Sequence, residues 1–248
     1  VTHLVELPPS SDVLGLTAEE FFAILRDQVR PTSIVEGPDF HFGRGRAGNI
    51  RKMLEWSAGT QIRVLELAPQ EAVLADLSLV EVSSTLIRWL VGHGRMRDAA
   101  ICLTRPYALR GPVIRGFARG RTIGVPTANL EVRQQLIPLE GIYAGRCAID
   151  GTVFPAAVSI GAPPTFAERA FQVEAHLLGF SGELYGRTIE LEMIDWLREQ
   201  RAYSTVEALR LQIDRDLARV RQCLAVDPLR RQPSARRALA GDSSKAPA

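Results

Sequence analysis

The clearest pattern of hydrophobic and polar positions lies in the second half of the chain, where short runs alternate. A strand over residues 171–178 would carry two sets of side chains on opposite faces. One face would have Phe171, Val173, Ala175 and Leu177, and the other Gln172, Glu174, His176 and Leu178. Residues 187–194 alternate again, and the dipeptide Asp150-Gly151 between two strand-like runs predicts a tight hairpin turn. Closely spaced short strands of this kind predict a small antiparallel β-barrel.

The first hundred residues have a different pattern, in which helical and strand periods follow each other. Thr17 and Glu20 form a capping box in front of an apolar helical stripe. A strand at 33–37, a helix at 50–56 and a strand at 61–67 then predict a parallel βαβ unit. Residues 1–105 are therefore predicted to be part of an α/β domain.

Helices are also predicted on either side of the barrel. Ser83 or Ser84 caps a helix that runs to about residue 91, and residues 98–103 continue as helix. After the barrel, the sequence from Ser204 to Glu207 predicts a capping box, and a long helix with an apolar stripe follows it. We therefore place a barrel domain with a C-terminal helix at 106–226 and a disordered basic tail at 227–248.

Charge and cysteine content exclude several classes of protein. The tail at 227–248 carries five basic and two acidic residues, so the other 226 residues sum to −1 although the whole chain is +2. A near-neutral folded part with few aromatic residues argues against an RNA-binding barrel. Three widely spaced cysteines and the lack of a long apolar run predict a cytoplasmic protein without membrane association.

A glycine-rich loop near the start of the barrel domain, residues 116–124, and the strand that follows it carry the candidate chemistry. Exposed backbone N–H groups in such a loop form a concavity that binds anions, phosphate above all. Thr127 offers a hydroxyl oxygen of the kind that binds Mg²⁺, and Asn129 offers both donors and an acceptor. The alternative interpretation is a surface loop with two solvated arginines. The candidate phosphate-binding residues are Gly116, Arg119, Gly120, Arg121, Thr122, Gly124 and Asn129.

The stretch from Arg119 to Leu130 resembles the "RGRxLGFPTANL" motif of riboflavin kinases. The sequences Leu136–Ala144, Ser159–Phe166, Val173–Leu177 and Leu184–Gly186 are similar to later motifs of the same family, in the same order. The resemblance covers roughly residues 15–222 and extends to the bacterial bifunctional FAD synthetases. It implies a six-stranded antiparallel barrel with one C-terminal helix, preceded by a Rossmann-like nucleotidyltransferase remnant.

The resemblance also implies roles for individual residues. Thr127 would hold Mg²⁺, Asn129 would contact the nucleotide phosphates and the ribityl chain of the flavin, and Glu174 would be the catalytic base. Arg198 would lie on the flavin side. Without the resemblance, the favoured interpretation of Glu174 is a solvated carboxylate on the outer face of an edge strand, and Arg198 is equally a surface charge.

The upstream half resembles the end of the FMN adenylyltransferase half of bifunctional FAD synthetases. The residues that carry this resemblance are Asp39, Phe40, Phe42, Gly43, Ser83, Ser84, Thr85 and Arg88. The family's His-x-Gly-His motif is absent, since no two of the four histidines have that spacing. A packing role for these residues is therefore the alternative to a second nucleotide site.

The sequence thus predicts an ATP- and Mg²⁺-dependent kinase that converts riboflavin into FMN. One alternative is a bifunctional enzyme that also makes FAD. An alternative of another class is a flavin-binding regulatory protein without turnover. The oligomeric state, the preferred metal and the function of the tail do not follow from the sequence.

Overall fold

The computed structural model describes residues 3, 5, 7, 8, 10–116, 120, 124–162 and 171–226. The chain divides into two compact units, Val1–Glu71 and Ala72–Ala248. Each unit contains a hydrophobic core of its own. The tail at 227–248 lies outside the described residues, and the domain boundary near residue 105 stays a prediction.

The first unit begins with helices whose start is set by side-chain capping. Thr17 Oγ1 accepts a hydrogen bond from the Glu20 amide at 3.1 Å, and Glu20 Oε2 accepts one from the Thr17 amide at 2.8 Å, which confirms the predicted capping box. The elements of this unit are α1 (Ser11–Gly15), α2 (Ala18–Ile24), β1 (Ser33–Glu36), β2 (His41–Phe42), β3 (Gly48–Asn49), α3 (Ile50–Ser57) and β4 (Arg63–Glu66).

The predicted βαβ unit is present in this first unit. Strands β1 and β4 pair in parallel, with Ser33 opposite Arg63, and α3 precedes β4. The core beside them is rich in aromatic side chains: Phe22 and Phe42 are buried together with Met53, and Trp56 packs against them. Burial of these large side chains is the main stabilising contribution in a unit of this size.

The second unit begins with a hairpin and two helices, which are β5 (Glu71–Val73), β6 (Leu79–Glu81), α4 (Ser84–Gly92) and α5 (Met96–Leu103). Asp98, only 5% exposed, accepts hydrogen bonds from the Ala75 amide at 2.7 Å and from Arg95 Nε at 2.6 Å. Leu90 on α4 and Met96 on α5 are buried in the same core as the strands that follow. These helices therefore share the core of the second unit.

The strands that follow are β7 (Tyr107–Ile114), β8 (Ala128–Leu130), β9 (Gly141–Ile149), β10 (Thr152–Gly161), β11 (Gln172–Leu177) and β12 (Thr188–Arg198). They close into a six-stranded antiparallel barrel with the order β10-β11-β8-β7-β12-β9. Alternating side chains fill the barrel, as the period-two pattern predicted.

The predicted hairpin turn joins β9 to β10. Asp150 and Gly151 both have positive φ, 49° and 83°, as a two-residue turn with right-handed strand twist requires. The fold is therefore the predicted one, an N-terminal α/β region followed by a six-stranded antiparallel barrel and a C-terminal helix.

The C-terminal helix, α6 (Val206–Ala225), covers part of the outer face of the barrel. Its Val220 and Cys223 pack against Ala144 and Leu178. The helix begins one residue later than the sequence predicted, because the Thr205 hydroxyl, rather than that of Ser204, accepts from the Ala208 amide at 3.1 Å. No helix in the described part of the chain is long and apolar enough to cross a bilayer.

Candidate active site

A row of polar side chains crosses three neighbouring strands on the outer face of the barrel. Asn129 on β8 lies directly opposite Glu174 on β11, and Glu174 lies directly opposite Ser159 on β10. Neighbouring strands are about 4.8 Å apart, so these three side chains are spaced at about that interval. We call Asn129, Glu174 and Ser159 the polar row.

Strand alternation sets the outward direction of Glu174. Val173, Ala175 and Leu177 are 4%, 1% and 6% exposed and fill the barrel, whereas Glu174 is half-buried on the other side of β11. Phe171 does not follow the predicted pattern, because it precedes the strand and is 52% exposed. The two residues that the sequence selected separately, Glu174 and Asn129, are thus brought together by strand register.

Asn129 lies over the beginning of the glycine-rich loop. A Cβ on Gly116 would be 2.2 Å from Asn129 Nδ2 and 2.5 Å from its Cγ, so the amide occupies the space that a side chain at residue 116 would need. Asn129 itself is 7% exposed. Glycine at 116 therefore lets the backbone and the amide approach each other closely.

The glycine-rich loop folds back on itself at its described residues. The Val125 amide donates to the Gly120 carbonyl at 2.8 Å, and a Cβ on Gly120 would be 2.2 Å from the Val125 carbonyl oxygen. Gly124 has a φ of +78°, the left-handed region in which glycine carries no steric cost. Arg119, Arg121 and Thr122 lie outside the described residues.

Thr127 lies at the end of this loop and lines a cavity of about 260 Å³. The cavity is also lined by Ala175 and Leu177 of β11, by Phe180 and by the segment from Ser181 to Tyr185. His176 Nδ1 lies 2.8 Å from the Pro126 carbonyl oxygen, so the tautomer protonated at Nδ1 holds the residue before Thr127 against β11. His176 thus has a structural role beside Thr127.

Arg198 is bound to the C-terminal helix. Its Nε and Nη2 donate to the two carboxylate oxygens of Asp216 at 3.0 and 2.6 Å, and Asp216 is 7% exposed. Burial lowers the pKa of Arg198, but the hydrogen bonds to Asp216 and the charge of that carboxylate outweigh it and raise the pKa above its usual value. Arg198 lies on the β12–α6 side, opposite Ile142 on β9.

Sequence reasoning selected neither Ser159 of the polar row nor its partner Gln200. Gln200 Nε2 donates to Ser159 Oγ at 2.8 Å, which ties the segment after β12 to β10. A Cβ on Gly161 would lie 3.2 Å from Gln200 Oε1 and 2.8 Å from Glu140 Oε2. Alternation along β10 contains the signal for the outward direction of Ser159, but no local pattern indicates its contact with Gln200.

The residues of the predicted adenylyltransferase remnant have structural partners in the two units. In the first unit, Phe42 is buried and stacks on Phe40 at 5.5 Å, and Asp39 accepts from His41 Nδ1 at 2.7 Å through its carbonyl oxygen. Gly43, with a φ of +72°, packs against the backbone of Ala18.

The other remnant residues are at the start of α4 in the second unit. Ser83 Oγ accepts from the Leu86 amide at 3.1 Å and caps the helix. Arg88 Nη1 donates to Ser84 Oγ at 3.2 Å, and Thr85 lies in the first turn. These contacts give most of the motif residues a packing or capping role within their own units.

The oxygen donors of the site fit Mg²⁺ rather than a softer metal. The Thr127 hydroxyl and the Asn129 carbonyl are hard oxygen ligands. No group of three or more His, Cys, Asp or Glu side chains that could hold a metal is found among the described residues. Mg²⁺ in phosphate sites characteristically takes few protein ligands and completes its shell with phosphate oxygens and water.

Two family models match the chain. The model described as riboflavin kinase matches residues 103–224, and the model described as FAD synthetase matches residues 1–85. The first match contains the whole polar row and the glycine-rich loop. The second contains the first unit and the start of α4.

Sequence comparison with individual proteins finds relatives of the same family that match most of the chain. A bifunctional riboflavin kinase/FMN adenylyltransferase from Pseudomonas fluorescens is 34% identical over 213 residues, which are 85% of this chain and 67% of that protein. The protein with the same description from Escherichia coli (strain K12) is 33% identical over 204 residues, 82% of this chain and 64% of that protein. The chain thus spans about two thirds of the length of these curated relatives.

A solved structure agrees with these matches at the level of the fold. The crystal structure of a macrolide-efflux protein from Streptococcus pneumoniae superposes with a TM-score of 0.71 at 30% sequence identity. The match covers 86% of this chain and 67% of that one.

Proposed function

The chain belongs to the bifunctional riboflavin kinase/FMN adenylyltransferase family, and we propose that it transfers the γ-phosphoryl group of ATP to the ribityl 5′-hydroxyl of riboflavin. The products are FMN and ADP. The observation that carries this proposal is the register that sets Glu174 directly opposite Asn129, whose amide lies over Gly116 at the start of the glycine-rich loop.

Each part of the site supplies one requirement of phosphoryl transfer. We expect the glycine-rich loop to bind the phosphates of ATP through backbone N–H groups, and the cavity lined by Thr127 and Phe180 to receive the rest of the nucleotide. Thr127 and Asn129 would hold Mg²⁺, which neutralises charge on the phosphates when it is bound. Positioning and charge neutralisation supply most of the catalysis in this reaction class.

Glu174 is the acid–base residue of the proposal. Its carboxylate accepts the proton of the ribityl 5′-hydroxyl as that oxygen forms a bond to the γ-phosphorus, while the bond from the γ-phosphorus to the oxygen of ADP breaks. Glu174 is half-buried on the outer face of β11, the face that also carries Asn129 on β8. Asn129, on the next strand, orients the phosphate toward it.

Incubation of the chain with riboflavin and Mg-ATP tests this function, with FMN and FAD quantified separately by chromatography. FMN and ADP forming in equal amounts support the kinase. A protein that binds riboflavin tightly but consumes no ATP would instead be the flavin-binding regulator without turnover.

The same experiment separates the kinase from the bifunctional alternative, which the descriptions of the relatives favour. FMN without FAD supports the kinase alone, and FAD accumulating as fast as FMN supports the bifunctional enzyme.

A further inference from the structure

The contact between Gln200 and Ser159 joins two segments that are 41 residues apart in sequence. Gln200 follows β12, and Ser159 lies near the end of β10 on the outer face of the barrel. Both side chains are half-buried, and the donor–acceptor distance is 2.8 Å. The bond therefore fixes the position of the Ser159 hydroxyl beside the polar row.

Ser159 and Asn129 flank Glu174 on opposite sides. Both lie directly opposite Glu174 in the strand register, one on β10 and the other on β8. Two strand spacings separate them, about 9.6 Å. Asn129 faces the glycine-rich loop through Gly116, so the side of Glu174 that carries Ser159 is the side away from the phosphates.

The chemistry on the Ser159 side suits a chain of hydroxyl groups. A serine oxygen that accepts a hydrogen bond from Gln200 still has its own proton to donate and a second lone pair. The Gln200 carbonyl and the Glu140 carboxylate crowd the same stretch of backbone, because Gly161, with a φ of +128°, has no side chain to exclude them. This side of Glu174 therefore offers both hydrogen-bond donors and acceptors, and the hydroxyl groups of a polyol can both donate and accept.

We propose that Ser159 binds a hydroxyl of the ribityl chain of riboflavin and that Gln200 is its positioning residue. The polyol then runs from the reacting hydroxyl at Glu174 toward Ser159, with the flavin ring beyond. This inference rests on the proposed kinase function. It adds the direction in which riboflavin extends from the reacting hydroxyl group. It makes Ser159 and Gln200 determinants of specificity for a flavin that carries a polyol.

The test compares riboflavin with lumiflavin, which has a methyl group in place of the ribityl chain. Affinities of the wild-type chain and the Ser159→Ala variant for both flavins are measured by quenching of flavin fluorescence. Loss of one neutral hydrogen bond is expected to weaken riboflavin binding by about 2- to 13-fold and to leave lumiflavin binding unchanged. Thr152→Ala, at the exposed far end of the same strand, is the matched control and should change neither affinity.

Gln200→Ala gives a second and independent measurement. It should weaken riboflavin binding in the wild-type background and have little further effect in the Ser159→Ala background, because the two residues act as a unit. The Michaelis constant for ATP should stay constant in both variants. This selectivity for one substrate distinguishes a binding role from a purely structural contact.

The outcomes separate this inference from the function on which it rests. Riboflavin affinity that is unchanged in Ser159→Ala, or that falls equally with lumiflavin affinity, overturns the inference while FMN formation by the wild-type chain leaves the kinase intact. A wild-type chain that makes no FMN and binds no riboflavin overturns both. A loss confined to riboflavin supports the assignment of Ser159.

Discussion

Replacement of Gly116 by alanine places a methyl group where the structure has no space for it. The backbone φ of Gly116 lies outside the left-handed region, so the substitution introduces a contact rather than backbone strain. The new Cβ would be 2.2 Å from Asn129 Nδ2, 2.5 Å from Cγ and 2.8 Å from Oδ1. The Asn129 side chain therefore has to move, and Asn129 is the neighbour of Glu174 in the proposed active site.

The size of the effect follows from these distances. Ordinary van der Waals contacts begin at about 3.4 Å, so the amide must move by about 1 Å from its position above Gly116. A misplacement of about 1 Å in a positioning group typically costs about 10²-fold in rate, or roughly 2.7 kcal/mol of activation free energy. We expect the kcat of Gly116→Ala to fall by about that factor while the barrel remains folded.

The assay is steady-state FMN formation, with thermal unfolding followed by circular dichroism. Gly92→Ala is the matched control, because the same change at a position with no atom within 4 Å should leave kcat unchanged. Asn129→Ala removes the amide that the new methyl group would displace, so the double variant should be no slower than Asn129→Ala alone. Normal turnover in Gly116→Ala would refute the placement of Asn129 at the reacting phosphate.

Three further predictions concern the metal, the helix contact and the acid response. Thr127→Val removes the proposed Mg²⁺ ligand but keeps the branched shape, so turnover should fall and require more Mg²⁺ in a titration; an unchanged Mg²⁺ dependence would make Thr127 a packing residue. Asp216→Ala removes the carboxylate that pairs with the partly buried Arg198. The free energy of unfolding should fall by about 3 kcal/mol, and the Tm should fall by roughly 6–12 °C in a calorimetric scan. A Tm shift under about 2 °C would contradict this. Hydrogen bonds from Ser78 and from Arg95 lower the pKa of Asp76 to about 2, so the stabilising contribution of Asp76 is present above about pH 4 and is lost as the pH falls through about 2. Asp76→Asn should therefore flatten the dependence of Tm on pH between about 2 and 4. An unchanged slope in Asp76→Asn would contradict this role of Asp76.

Local sequence patterns were sufficient for the elements that depend on neighbouring residues. The capping box of Thr17 and Glu20 and the turn at Asp150 and Gly151 were both confirmed, because each depends on contacts within a few residues. Alternation along β11 placed Glu174 on the outer face for the same reason. The start of α6 was predicted one residue early because Ser204 and Thr205 are both competent caps, and only the structure shows which one is used.

The candidate site depended on register, which local patterns do not contain. Glu174 and Asn129 were each selected from the sequence, but their direct opposition follows from the pairing of β11 with β8. The sequence patterns did not identify Ser159 as a site residue, because its partner, Gln200, is far away in the sequence. Helices α4 and α5 contribute Leu90 and Met96 to the same core as the barrel, and that burial also depends on long-range packing.

The kinase account depends most directly on Glu174, and the decisive measurement is single-turnover FMN formation by Glu174→Gln. Riboflavin and ATP should still bind, because glutamine keeps the size of the side chain and one acceptor oxygen. The rate should fall by about 10²–10⁴-fold, or roughly 3–5 kcal/mol, through loss of the proton acceptor. Glu190→Gln, an exposed carboxylate on β12, is the control and should react at the wild-type rate. A near-normal rate of FMN formation by Glu174→Gln would contradict the account.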